Sequence, residues 1–481
     1  MERERRGREG LIKQASTLDK YAYGMGNLAY GIIFQVITSF FMFYATSVLH
    51  ISGSLTGGIV FLSVLWDAIT DPIMGYISDN TYDTRFGKRH LYMILGAIGL
   101  AISNALLWSL RPKGHSLGIA VQLFVYLFLC KTFITVFSTP YTALGAEITT
   151  DYDERTSIQT IKGGFFLLGI ALPMVAGMMI FFRPTSDYPL GQLNPDAYLP
   201  MGISTAVLSL LCAAACIICT LKYAVKWKKP KNPLQKTWRS ILGDMVEPMK
   251  LAPVRHVIFG YLWQNVATAV VTSLFMHIFT YTFELNNRDV ALIAASLLVT
   301  SVLSQVYWFR RTIAIDKKGS ILESIKIAMG GCGFFLLMVF FRTYLLGRGV
   351  VFIPVAVIIG FAMGGMVSIP QTMLVDTIDL DELKSGKRKE GSVFACMTFC
   401  YKLSQSFALF VIGILLDLIG FDAAAGAQTV STIYLLGLML PILLSGVLVL
   451  TYRCFAKYSL DRRSVNQIQQ ELRENRAIHE K

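Results

Sequence analysis

Two aspartates four residues apart, Asp67 and Asp71, lie inside an apolar run from Thr56 to Ser78. On a helix, four residues return the chain to the same face and advance it about 6 Å. An Asp near mid-membrane costs about 2.5–3.5 kcal/mol to insert. A pair on one face therefore reads as chemistry rather than accident. Carboxylate oxygens suit a hard cation, and a carboxylate pair also suits a shared proton. The alternative, two acids at a helix end meeting water, is opposed by the roughly eleven residues of the run that precede Asp67. Pro72 points the same way. It cannot donate to the carbonyl of Ala68, and such broken backbone faces protein or a water-filled cavity, not lipid.

The elements that position this pair are membrane helices. The 481 residues are 54% hydrophobic and only 16% charged, and apolar runs recur along the whole chain. Twelve spans are predicted, at roughly 20–48, 56–78, 91–110, 117–145, 158–182, 200–223, 254–283, 289–308, 321–341, 350–374, 392–415 and 429–453. The expected fold is an all-α membrane protein of two six-helix bundles. A cytoplasmic tail (1–19) precedes the first bundle (20–223). A central loop (224–253), the second bundle (254–453) and a tail (454–481) follow.

The net charge of +13 comes from lysines and arginines gathered in alternate loops and tails, as a positive-inside topology requires, so both termini are expected in the cytoplasm. This pattern does not point to nucleic acid. No short apolar leader with a cleavage site is visible at the N-terminus. The eight cysteines fall in or beside the spans and suggest packing rather than a disulfide framework or a metal site. No nucleophile–base pattern, cofactor loop or nucleotide motif argues for an enzyme or a cofactor.

The halves echo each other faintly. Phe41-Met42 closes span one and Phe275-Met276 closes span seven. Arg85-Phe86-Gly87-Lys88-Arg89 follows span two, and Asp316-Lys317-Lys318-Gly319 follows span eight. Span eight carries no carboxylate pair, so the expected ion site belongs to the first half. Two bundles with a site at their interface are typical of secondary transporters.

Several stretches together make a specific resemblance. They are Asp67-Ala-Ile-Thr-Asp-Pro-Ile-Met-Gly75 with Asp79 and Thr84–Arg89; Pro140–Leu144; Asp151–Thr156; and the loop from Asp376 through Asp379 and Arg388 to Gly391. They resemble the glycoside–pentoside–hexuronide:cation symporters, the melibiose-permease-like branch of the major facilitator superfamily, over essentially the whole chain. The resemblance implies that Asp67, Asp71, Thr70 and Thr135 bind the coupling cation, Na⁺ or H⁺. It also implies that Lys402, inside span eleven, sits near the ion site and pairs with Asp67 or Asp71. Thr70 stands where the family often has asparagine. The family's acidic sugar ligands are replaced by Gly31 and Ser138, and its span-four tryptophan by Thr142, so the galactoside pattern is missing.

Lys131 shares a helix face with Thr135 and Ser138, the face that the resemblance turns into the cavity, and Lys162 falls near a family arginine facing substrate. With Lys402 these lysines outnumber Asp67 and Asp71, which favours an acidic sugar such as a hexuronide or glucuronide. Asn27 and Tyr30, on a polar and aromatic stripe of span one, suit sugar hydroxyls and faces. The expected substrate set is therefore Lys402, Lys131, Ser138, Thr142, Asn27, Tyr30 and Lys162. Arg85, Arg155, Glu154, Asp376, Asp379 and Arg388 are expected to form a cytoplasmic gate between the halves.

The function implied is cation-coupled symport of a sugar or glycoside by alternating access, in the plasma membrane, by a monomer whose partners are its substrate and the lipid bilayer. The alternatives are a lipid or lysolipid carrier on the same fold and a non-transporting membrane sensor.

Overall fold

A computed structural model describes residues 16–81, 86–112, 116–149, 152–224, 247–385, 390–422 and 428–479, and among them there is no strand. The chain divides into two units. The first is Met1–Ile51 with Leu62–Pro233, and the second is Ser52–Phe61 with Leu234–Lys481. Of the expected central loop, residues 225–246 lie outside the described residues.

The helices are α1 (Thr17–Phe43), α2 (Gly53–Asp79), α3 (Gly87–Leu107), α4 (Ser116–Ile148), α5 (Tyr152–Ala171) and α6 (Tyr198–Thr220). They continue with α7 (Ala252–His277), then α8 and α9, which are the two arms of one segment, Asn287–Phe340. After these come α10 (Ile353–Ser385), α11 (Glu390–Leu418), α12 (Val430–Ala456) and a tail helix, α13 (Arg462–His479). Among the described residues eleven helices are long and apolar enough to cross a membrane, with the two arms α8 and α9 counted as one. Their outer faces carry large apolar side chains in the open, such as Leu211 (62% exposed) and Leu303 (67%). In water such a surface would aggregate, and in lipid it is the favoured one.

In the first unit α1 packs on α5 and α6, and α3 on α4 and α6. The N-terminus of α1 is fixed by a capping box. Ser16 Oγ accepts the Asp19 N–H, and Asp19 Oδ2 accepts the Ser16 N–H. Asp19 also accepts Lys222 Nζ and the Tyr223 hydroxyl, both at 2.7 Å, which ties the start of α1 to the end of α6. Deeper in, Tyr23 and Tyr141 stack with centroids 4.6 Å apart, and each hydroxyl donates to the other's backbone carbonyl (3.1 and 2.9 Å). Around them lie Met93, Phe137, Leu144 and Cys216.

The second unit repeats this scheme: α7 packs on α11 and α12, and the α8–α9 segment on α10 and α12. The faint echo in the sequence is much plainer in the backbone. α1 opens into a π turn at Tyr44–Val48 and α7 into one at Ile278–Thr282. In each case two further amides reach back, Leu49 to Tyr44 and Ile51 to Ala45, Phe283 to Ile278 and Leu285 to Phe279. Each turn is closed by a non-glycine residue in the left-handed region, His50 (φ 56°) and Glu284 (φ 55°). The loop basics match as well. Lys88 pairs with Glu147 of α4 at 2.8 Å, and Lys317 pairs with Asp376 of α10 at 2.6 Å.

One expectation needs correction. The basic stretch from Arg310 to Lys318 reads as a loop between spans eight and nine. Instead the chain stays helical and turns at a single residue, Asp316 (φ 74°, ψ 161°). That conformation is costly for a residue with a side chain. It is offset locally, because Asp316 Oδ1 accepts the Lys317 N–H (2.6 Å), Oδ2 accepts the Arg462 N–H (3.2 Å), and its carbonyl accepts the Ser320 hydroxyl (2.8 Å). Arg311 and Glu323 clasp across the turn at 2.8 and 3.1 Å.

α8 and α10 approach closely because α10 presents glycines. A Cβ on Gly364 would collide with Ser301 and Ser304, and one on Gly365 would lie 2.8 Å from Trp308. Small residues are what permit such contact in membrane bundles. Gly364→Val is expected to cost about 1–3 kcal/mol by overpacking. A lowered unfolding midpoint in detergent checks this, and an unchanged midpoint would contradict the close approach.

Candidate functional site

α2 runs through Pro72 without interruption and carries Trp66, Asp67, Thr70 and Asp71 along its length. Facing it, α4 carries Phe128, Lys131, Thr132 and Thr135. The two helices meet as a ladder whose two acid contacts share an offset of 64 residues. Lys131 Nζ lies 3.2 Å from Asp67 Oδ2, and one turn along, the Thr135 hydroxyl donates to Asp71 Oδ1 at 2.7 Å. Between them the Trp66 indole N–H donates to Thr132 Oγ1 (2.9 Å), and its ring packs on Phe128 at 4.8 Å. Asp67 is 4% exposed and Thr135 2%. Thr70 gives its hydroxyl proton to the Trp66 carbonyl (3.0 Å), which leaves its oxygen lone pairs for another partner. Tyr30 of α1 lies within the electrostatic reach of both carboxylates.

Of the residues expected to bind the cation, the structure joins Asp71 to Thr135, sets Lys131 against Asp67, and turns the Thr70 hydroxyl to the Trp66 carbonyl of its own helix. Of the expected substrate residues, Asn27, Tyr30 and Lys162 form one wall. Asn27 Nδ2 donates to the Lys162 carbonyl (2.9 Å). The Lys162 ammonium sits 5.2 Å from the centre of the Tyr141 ring. Tyr30 stacks on Phe166 at 5.8 Å. Among the described residues no carboxylate pairs with Lys162. Ser138 is half-buried and Thr142 exposed on α4, and Lys402 is half-buried on α11 in the second unit.

The expected gate residues have partners inside their own units. Glu154 takes Lys20 (3.2 Å) and the Thr149 hydroxyl (2.7 Å). Asp376 takes Lys317, and Asp379 accepts Gln469 of the tail helix (3.2 Å). Arg85, Arg388 and the Arg155 side chain lie outside the described residues.

Three sets of contacts were not visible in the sequence. Arg89 joins Ser78 (2.7 Å), Asp79 and Glu147 (3.2 Å), locking the ends of α2, α3 and α4 together. Asp417 of α11 accepts the Gly53 and Ser54 N–H groups at 2.6 and 2.8 Å, capping the residues of α2 that belong to the second unit. The tail helix α13 buries Ile468 and Leu472. Only the first carried a signal, an Arg at a span boundary four residues from a second basic residue in a short loop.

Comparison with known proteins agrees with this architecture. A family model described as MFS/sugar transport protein matches residues 22–462. The chain is 25% identical over 488 residues to the putative glycoside/cation symporter YagG of Escherichia coli, covering 97% of each. It is 24% identical over 503 residues to the sodium-dependent lysophosphatidylcholine symporter 1 of Gallus gallus, covering 98% of this chain and 92% of that one. Among solved structures, a D-xylose–proton symporter superposes with a TM-score of 0.60 at 15% identity, over 88% of this chain and 96% of that one. The chain, matched over nearly its full length, thus belongs to the MFS/sugar transport protein family: it is a multi-pass membrane transporter and not an enzyme.

Proposed function

We propose that the protein couples entry of a cation, Na⁺ or H⁺, to symport of a sugar or glycoside by alternating access, with both termini in the cytoplasm. The observation that carries this reading is the ladder of Asp67 and Asp71 against Lys131 and Thr135. Two carboxylates at this depth are costly unless an ion or proton uses them. Thr70 and Thr135 supply the neutral oxygens of the same site. Asn27, Tyr30 and Lys162 supply donors and an aromatic face for a sugar, beside Ser138 and Thr142, with Lys402 from the second half. Since Lys131 is engaged by Asp67, the case for an acidic sugar such as a hexuronide rests on Lys162. Arg85, Arg155, Glu154, Asp376, Asp379 and Arg388 remain the residues through which the cytoplasmic side would open and close. The protein acts as a monomer in the plasma membrane.

The test is uptake into proteoliposomes of a panel of neutral and acidic glycosides, with Na⁺ and H⁺ gradients imposed separately. Accumulation of at least one glycoside under one gradient, and not without it, is expected. Inhibition only by neutral glycosides would sink the acidic preference. A second reading, a lysolipid carrier, is favoured by the full-length similarity to a lysophosphatidylcholine symporter. Flux of labelled lysophosphatidylcholine with no glycoside uptake would replace the first reading with it.

A further inference from the structure

The carboxylate pair is built as if for sodium, yet a cation of the protein's own already stands there. Lys131 Nζ lies 3.2 Å from Asp67 Oδ2, with side-chain exposures of 16% and 5%. A sodium ion bound between the acids would sit within a few ångströms of that ammonium. It would also lose Asp67 Oδ2 as an undivided ligand. A hard cation of single charge needs several oxygens and an excess of negative charge around it. Lys131 already takes one of those oxygens and part of that charge, and the hydroxyl that Thr135 brings to Asp71 is neutral.

We propose that Lys131 is a resident counter-cation that excludes sodium from the Asp67–Asp71 site, so that this one residue decides which ion the site accepts. The inference rests on the reading of that pair as the coupling-ion site. It reassigns Lys131 from the substrate set to ion selection. The offset of the ladder explains why this position is able to act so. Lys131 is one helical turn from Thr135, as Asp67 is from Asp71, so its ammonium meets the acid that the threonine does not reach.

The experiment uses the purified full-length protein in detergent and the sodium ion itself as probe. Binding of ²²Na⁺ and the effect of NaCl on the unfolding midpoint, with choline chloride at equal ionic strength as control, are measured for wild type, Lys131→Ala, Lys131→Met and Lys131→Arg. Wild type and Lys131→Arg are expected to show no saturable binding and no sodium-specific rise in midpoint. Lys131→Ala and Lys131→Met are expected to bind sodium saturably, at concentrations at least about tenfold below any at which wild type shows binding, and to be stabilised by it. Adding Asp71→Asn to Lys131→Met is expected to abolish both effects. The methionine variant keeps the side-chain volume, and its own midpoint reports whether it is folded.

Saturable wild-type binding that Asp71→Asn removes and Lys131→Met leaves unchanged would overturn the role of Lys131 while upholding the ion site. Absence of sodium binding in folded Lys131→Met also overturns the role of Lys131. The ion-site reading fails separately, if wild-type glycoside uptake responds to neither gradient or survives Asp71→Asn undiminished.

Discussion

Asp71→Asn is expected to lower gradient-driven uptake by roughly a thousandfold while the protein still folds and inserts. The asparagine side chain keeps an oxygen where Asp71 Oδ1 accepts the Thr135 hydroxyl at 2.7 Å, so the contact between α2 and α4 survives. What is lost is one charge. At about 4 Å and an effective dielectric of about 20, a charge–charge term amounts to about 4 kcal/mol, or roughly three decades in ion affinity. Coupling needs an ion that favours one state of the transporter, and an ion that no longer binds shifts nothing. Substrate counterflow without a gradient separates coupling from binding. Retained counterflow with lost uphill uptake is the expected pattern, and undiminished uphill uptake would refute the site.

The second large effect concerns stability. The Asp67–Lys131 pair is almost wholly withdrawn from solvent. Breaking a buried ion pair by removing one partner costs about 3–5 kcal/mol in protein interiors. Asp67→Asn and Lys131→Met are each expected to lower the unfolding midpoint markedly. The double variant is expected to recover most of the loss, because it strands no charge. The coupling energy from the four unfolding curves is the measurement. Additive losses would mean that the two groups do not form a pair in the folded protein.

Much of this is legible in the sequence. Twelve spans follow from apolar runs, because backbone in lipid must satisfy itself within a helix and helix length is fixed by bilayer thickness. Asp67 and Asp71 stood out for the same reason, since charge at that depth is expensive. What periodicity could not supply was the partner across the gap. The spacing of Lys131, Thr135 and Ser138 shows that they share a face of α4, but not which helix lies opposite. The shared face alone assigns Lys131 to the substrate, and in the structure its ammonium reaches Asp67. The Tyr23–Tyr141 clasp was hidden likewise, because each hydroxyl bonds a backbone carbonyl, and backbone carbonyls leave no trace in sequence. The turn at Asp316 leaves no such trace, because a cluster of basic residues reads as a loop, and the local bonds of that aspartate are what stabilise a one-residue turn.

The two π turns that end α1 and α7 bear on the history of the chain. A π turn holds one more residue than the helix around it needs, and it is rare. Finding one at the matching place in each half, with the same pattern of amides and the same left-handed closing residue, is most simply explained by inheritance from a common ancestral bundle that already possessed it. The Lys88–Glu147 and Lys317–Asp376 pairs belong to that shared legacy. The carboxylate pair does not, since α8 offers no counterpart to Asp67 and Asp71. Residues common to both copies thus record what the ancestral bundle needed in order to stand, and residues confined to one copy record what was specialised after the copies parted.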